Sequence, residues 1–162
     1  MRIVIEAMTE SDWPAVRDIY LDGIRSGNAT FETDSPDWQT WDASHLEQPR
    51  LVALGERQVR GWAALSPVSK RRVYAGVAEV SVYVAEHARG KGIGLRLLEE
   101  LVQQSEEHGL WTLQAGIFPE NKSSIAIHEK CGFRIVGSRE KIGKQNDRWR
   151  DVTLLERRST VT

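Results

Sequence analysis

Apolar residues recur along the chain with two distinct periods. From Trp13 they fall at Trp13, Val16, Ile19, Tyr20 and Ile24, the spacing of a helix with one apolar face. Thr9, Ser11 and Asp12 offer capping oxygens before it, and Gly27-Asn28 ends it. Ile93, Leu97, Leu98, Leu101 and Val102 form a second stripe of this kind, predicting a helix over 92–108 that Gly109 stops. Ser35-Pro36-Asp37 opens a shorter helix carrying Trp38, Trp41 and Leu46 and closing near Pro49, and 121–130 is a fourth, ending at Cys131-Gly132.

Between the helices the period drops to two. The clearest case is 74–84, where Val80, Val82 and Val84 share one face and Glu79, Ser81 and Tyr83 the other. Strands are also predicted over 2–6, 51–54, 58–65, 112–118, 133–141 and 149–157, with a short extended piece at 29–33. Gly55-Glu56-Arg57 reads as a hairpin turn, and a polar loop joins the last two strands. The resulting order, β-α-α-β-β-β-α-β-α-β-β, is neither a doubly wound sheet nor a barrel of alternating units. It predicts a mixed α/β (α+β) fold, and without repeat or linker the 162 residues read as one domain, 1–162.

Composition narrows the functional classes. Lys plus Arg is 22 and Asp plus Glu is 23, a formal net charge of −1, which gives no global attraction to nucleic acid or an anionic membrane. Cys131 is the only cysteine, so no intrachain disulfide and no zinc site built on several cysteines is expected; the four histidines lie far apart, and no metal is expected. No apolar run approaches the ~20 residues of a membrane span. The first residues lack the apolar core of a secretion signal, so a reducing, cytoplasmic setting is the expectation.

The candidate chemistry lies where the strand at 74–84 runs into Arg89-Gly90-Lys91-Gly92-Ile93-Gly94 and then into a helix. Glycines let backbone N–H groups converge without side chains in the way, and a helix start adds free donors and partial positive charge. Together they form a cradle for a pyrophosphate. A Walker loop needs Gly, four residues, then Gly-Lys-Ser/Thr; here Ala85 stands at the first position and Gly92 follows Lys91. The dinucleotide pattern Gly-x-Gly-x-x-Gly is missed by one residue.

The glycine loop resembles the acetyl-CoA signature of the GNAT superfamily of N-acetyltransferases. Asn121 to His128, followed by Cys131-Gly132-Phe133, resembles their second signature. A narrower resemblance, to phosphinothricin and methionine sulfoximine (or sulfone) N-acetyltransferases, rests on Thr30-Phe31-Glu32-Thr33, on 78–84, on His128-Glu129 and on Trp149-Arg150-Asp151-Val152. The wider superfamily has tyrosine seven residues after the asparagine; here that position is His128, as in the phosphinothricin branch.

The resemblance implies a central mixed, twisted sheet of about seven strands with helices on both faces. It implies transfer of the acetyl group of acetyl-CoA, in a ternary complex, to the α-amine of a small amino-acid-like substrate. It implies a homodimer, for which Trp149 is a candidate anchor. Cofactor binding falls on Val82, Tyr83, Val84, Arg89, Gly90, Lys91, Gly92, Ile93, Gly94, Leu95, Asn121 and Lys130. Glu79 is the expected base, with His128 as acid, base or packed residue. Phe31, Arg72, Val73, Tyr74 and Glu79 are the expected acceptor pocket. Alternatives are a peptide or polyamine acetyltransferase and a non-catalytic acyl-CoA-binding module. By pattern alone, Glu79 is equally a solvated strand residue, and Lys70-Arg71-Arg72 equally a solvated loop.

Overall fold

A computed structural model describes residues 1–162. Strands β1 (Ile3–Ala7), β2 (Arg50–Gly55), β3 (Gln58–Pro67), β4 (Val77–Val84), β5 (Thr112–Ile117), β6 (Arg134–Gln145) and β7 (Arg148–Arg158) form one seven-stranded sheet in the order β1-β2-β3-β4-β5-β7-β6. Helices α1 (Trp13–Ser26) and α2 (Trp38–Ser44) lie on one face; α3 (Ile93–Glu107) and α4 (Lys122–Lys130) lie on the other. All neighbours pair antiparallel except β4 and β5.

Alternation along β3 shows how the faces are filled. At Gly61 an added Cβ would meet Leu97 and Ile93 of α3, while Trp62, its neighbour, is buried on the opposite face. There Trp62 stacks on Tyr83 with centroids 4.9 Å apart and meets Tyr20 and Trp41 edge-on, so α1 and α2 pack through aromatic rings. The stripe predicted for α3 is buried throughout: Ile93, Leu97, Leu98 and Leu101 are at most 1% exposed. Full burial of each such side chain contributes roughly 1.5–3 kcal/mol.

Four local features differ from the sequence expectation. Helix α2 stops at Ser44, short of Pro49, because Arg50 reaches back to it: its guanidinium donates to the carbonyls of Asp42, His45 and Leu46 and to the Asp42 carboxylate. Those carbonyls therefore need no further helical turn. Strand β4 begins at Val77, since Arg72–Tyr74 forms a 3-10 turn. Gly76 follows that turn, packed so close to the Trp111 ring that a Cβ would lie 2.1 Å from it. Residues 29–33 join no sheet. The final hairpin turns tightly on Asn146 and Asp147, both at positive φ, so β6 extends to Gln145.

Candidate active site

Strands β4 and β5 pair over only three rungs, Val77–Glu79 with Thr112–Gln114. Beyond Glu79, β4 keeps its ladder to β3 through Val84, but its other edge has no strand beside it. The gap opens a cleft of about 610 Å³ between β4, the start of α3 and the start of α4. Of the residues expected to hold a cofactor, Val82, Tyr83, Val84, Arg89, Gly90, Gly92, Ile93, Gly94, Leu95 and Asn121 line it. Lys91 is exposed and outside the lining; Lys130 is at the far end of α4, roughly 13 Å along the axis from Asn121 at 1.5 Å per residue.

The cleft walls explain the glycines. Gly90 and Gly92 both have φ of +78°, and a Cβ on either would meet nothing within 4 Å, so both face open space in the cleft. Gly92 is the N-cap of α3, whose first N–H groups are therefore free for an anion. A free strand edge, an open glycine turn and an apolar lining at Val84, Ile93 and Ile127 suit a molecule with a pyrophosphate at one end and an amide-containing arm.

A second cavity of about 380 Å³ adjoins the first and shares Asn28, Ala29, Val82, Tyr83, Asn121 and Ser124 with it. Glu79, Phe31 and His128 line this smaller cavity. Glu79 accepts a hydrogen bond from the Gln114 side chain at 3.0 Å through one carboxylate oxygen. His128 stands seven residues after Asn121, two turns along α4 on the same face, and is 4% exposed. Its Nδ1 lies 2.7 Å from the Ser124 carbonyl, and burial pulls its pKa below the ordinary histidine value. The ring is therefore neutral near pH 7 with the proton on Nδ1, since a carbonyl only accepts. Nε2 then presents a lone pair and has no hydrogen-bond partner in the chain. Arg72, Val73 and Tyr74 occupy the exposed 3-10 turn and line neither cavity.

Three residues to which the sequence assigned no role shape this region. Gln114 orients Glu79, and Arg139 on β6 lines the smaller cavity. Arg150 of β7 is 4% exposed, and its guanidinium lies 3.8 Å from the centroid of Phe118. It donates to the Gly27 carbonyl at 2.8 Å, the Asn28 side chain at 2.9 Å, Gln145 at 2.5 Å and Glu120 at 3.2 Å. Gln145 in turn donates to the Thr30 carbonyl, and Asn121 to the Asn28 carbonyl. The segment from Gly27 to Phe31, which lies between the two cavities, is thus fixed from three sides. Phe31 itself meets Phe118 edge-on and fits only because residue 143 is glycine.

Comparison with known proteins agrees with this geometry. Residues 13–133 match the acetyltransferase (GNAT) family. The chain is 32% identical over 152 residues to an L-methionine sulfoximine/L-methionine sulfone acetyltransferase of Pseudomonas aeruginosa, covering 90% of this chain and 88% of the relative. It is 33% identical over 156 residues to a phosphinothricin N-acetyltransferase of Streptomyces coelicolor, covering 91% of each. The crystal structure of a GNAT superfamily phosphinothricin acetyltransferase from Sinorhizobium meliloti in complex with AcCoA superimposes with a TM-score of 0.89 at 31% identity, covering 100% of this chain and 92% of that one. The protein belongs to the acetyltransferase (GNAT) family and is an acetyl-CoA-dependent N-acetyltransferase. Its mixed seven-stranded sheet is the one the sequence resemblance implied.

The glycine turn gives a first test. In Gly92→Val the backbone keeps a left-handed conformation that costs a branched residue about 1–2 kcal/mol, and the side chain projects into the cleft. The KM for acetyl-CoA rises by about tenfold or more, read by thiol release. An unchanged KM in a folded Gly92→Val enzyme removes the turn from the binding site.

Proposed function

We propose that this enzyme acetylates the α-amine of a small amino-acid-like acceptor, of the phosphinothricin, methionine sulfoximine or methionine sulfone class, within a ternary complex. The observation that carries the reading is the pair of adjoining cavities. The larger suits the cofactor and the smaller, about 380 Å³, holds Glu79 and His128 and has room for an amino acid but not a folded partner. The relatives named above act on acceptors of this class. Bound in the larger cleft, acetyl-CoA supplies an acetyl group activated as a thioester. The main chain of Val82 to Val84 and the amides of residues 89–95 hold it, with Asn121 beside them. Glu79 takes the amine proton, directly or through a water, and Gln114 keeps its carboxylate aimed.

His128 acts in this reading as an acceptor, because its free Nε2 has a lone pair and no proton to give a leaving thiolate. Its protonation removes that lone pair. So kcat falls in acid as pH drops through the His128 pKa, which lies below the usual ~6.5, and is flat above. His128→Asn is expected to lose this acid limb. An asparagine variant with wild-type kcat and an unchanged pH profile leaves His128 a packing residue.

A homodimer is part of the same reading. Strand β6 is the outer strand of the sheet, and Ile135, Val136, Ile142 and nearby Trp149 are each 45–55% exposed. An uncovered edge with apolar side chains favours a second copy. Light scattering is expected to give twice 18.3 kDa, and a monomer contradicts it. No helix is long and apolar enough to cross a membrane, which fits the cytoplasmic setting we propose. All seven strands share one sheet, which supports a single domain over 1–162.

The function is tested by incubating the enzyme with acetyl-CoA and amino acids, sulfoximines, sulfones, phosphinates, polyamines and N-terminal peptides, reading thiol release. Turnover confined to peptides or polyamines overturns the acceptor class. No turnover with any amine favours a cofactor-binding module.

A further inference from the structure

The charges around the acceptor cavity are unevenly matched. Two carboxylates, Glu32 and Glu79, and one guanidinium, Arg139, line it. Arg139 is on β6 opposite Val152 of β7, which lines the same cavity. Its guanidinium makes no ion pair and no hydrogen bond in the chain; Arg148 of the same hairpin is also without a partner but lines neither cavity, and Arg134, Arg150, Arg157 and Arg158 all have partners. An arginine pointing at a cavity with its five donors unspent is suited to bind an anion in two parallel hydrogen bonds.

The sheet register says which anion. Glu79 pairs with Gln114 on β5; β5 pairs with β7, and β7 with β6. Glu79 and Arg139 are therefore three strand spacings apart, about 14 Å at ~4.8 Å per strand. They are also displaced along the strands, because Val152 lies one step beyond the Ile117–Thr153 pair while Glu79 is level with Gln114. The Glu79 and Arg139 side chains both line the cavity and cover part of this main-chain separation, and a group at the far end of an amino-acid side chain bridges more of the remainder than an α-carboxylate only two bonds from the amine.

Resting on the acceptor class proposed above, we infer that Arg139 is a specificity-determining residue that binds a second, distal anion of the acceptor. The favoured acceptors are amino acids whose side chain ends in a charged phosphinate, sulfonate or carboxylate. Glu79 takes the amine end and Arg139 the anionic end, so the cavity reads both the length and the charge of what enters it. Lys70-Arg71-Arg72 is outside this cavity and has no part in the reading.

Phosphinothricin and methionine sulfone separate charge from shape. Both have the same amino-acid head and a tetrahedral group at the end of the side chain, but only the phosphinate is charged. The exposed position makes Arg139→Gln well tolerated by the fold. Its kcat/KM for phosphinothricin is expected to fall by about 10- to 10²-fold, the scale of a charge-assisted bidentate contact. Its kcat/KM for methionine sulfone stays within about twofold of wild type, and its KM for acetyl-CoA does not move. Arg139→Lys recovers only part of the loss. Equal losses on both acceptors place Arg139 on the shared head and overturn the distal assignment. No loss on either overturns it, as does a wild-type enzyme that turns over methionine sulfone and ignores phosphinothricin. The same discrimination lost in Arg72→Gln and kept in Arg139→Gln moves the site to the 70–72 loop. A wild-type enzyme that acetylates neither compound contradicts the acceptor class itself, and the inference falls with it.

Discussion

Glu79→Gln lowers kcat by about 10²–10⁴-fold while the KM for acetyl-CoA stays near its wild-type value. The substitution keeps shape and hydrogen-bonding capacity and removes only basicity. Because the Glu79 carboxylate accepts from Gln114 through one oxygen, a glutamine side chain still has an oxygen to offer that partner, so the local geometry persists. An α-amine titrates near ~7.7–8 at a peptide terminus and higher in a free amino acid, whose own carboxylate holds the proton, so rising pH supplies more of it already neutral. The deficit of Glu79→Gln therefore narrows as pH rises towards 9. A variant with wild-type kcat at pH 7 assigns Glu79 to the solvated face that its strand position alone allows.

Arg150→Leu destabilises the fold by about 3 kcal/mol and raises both KM values. Each hydrogen bond to a charged group contributes roughly 1.5–3 kcal/mol when its partner has no substitute. Loss of Arg150 frees the Gly27 carbonyl, the Asn28 side chain and Gln145 together, and removes the cation over Phe118. The ion pair with half-exposed Glu120 adds little. For a chain of this size the loss appears as a melting temperature lower by roughly 6–12 °C. Because the segment from Gly27 to Phe31 borders both cavities, acceptor and acetyl-CoA binding weaken together. Arg150→Lys, which retains charge but not the planar fork, falls between the two. A variant that is destabilised yet has both KM values intact shows that Arg150 acts on folding alone.

What was legible in the sequence depended on whether a signal was local. The α3 stripe, the alternation of β4 over 79–84 and the glycine turn are patterns within twenty residues, and each appears where the spacing put it, although β4 begins at Val77 and not at 74. The end of α2 was not legible. It depends on Arg50, which is beyond Pro49 and folds back onto carbonyls that a linear reading leaves to the helix. Arg150 belongs to the 149–152 motif that carried the narrower resemblance, but its role was hidden for the same reason. Within β7 it looks like any charged residue between Trp149 and Asp151, and its partners are at Gly27, Asn28, Glu120 and Gln145. The resemblance implied Arg72 for the acceptor pocket as part of a strand running from Tyr74, but a 3-10 turn replaces the strand there. Arg139 enters the cavity only because β6 folds back beside β7, a juxtaposition that needs the whole sheet.

The three-rung contact between β4 and β5 has a thermodynamic consequence. Strands β1 to β4 and strands β5, β7 and β6 form two blocks whose main-chain continuity across the sheet rests on residues 77–79 and 112–114. An extended ligand arm lying along the free edge of β4 occupies the place where further rungs are missing. Occupancy therefore stabilises the native state in proportion to the logarithm of ligand concentration over Kd. The stabilisation is concentrated at the seam, where opening fluctuations are otherwise cheapest. Amide hydrogen exchange at 80–84 and 113–117 slows most on loading, while the β1–β2 ladder, far from the seam, exchanges as before.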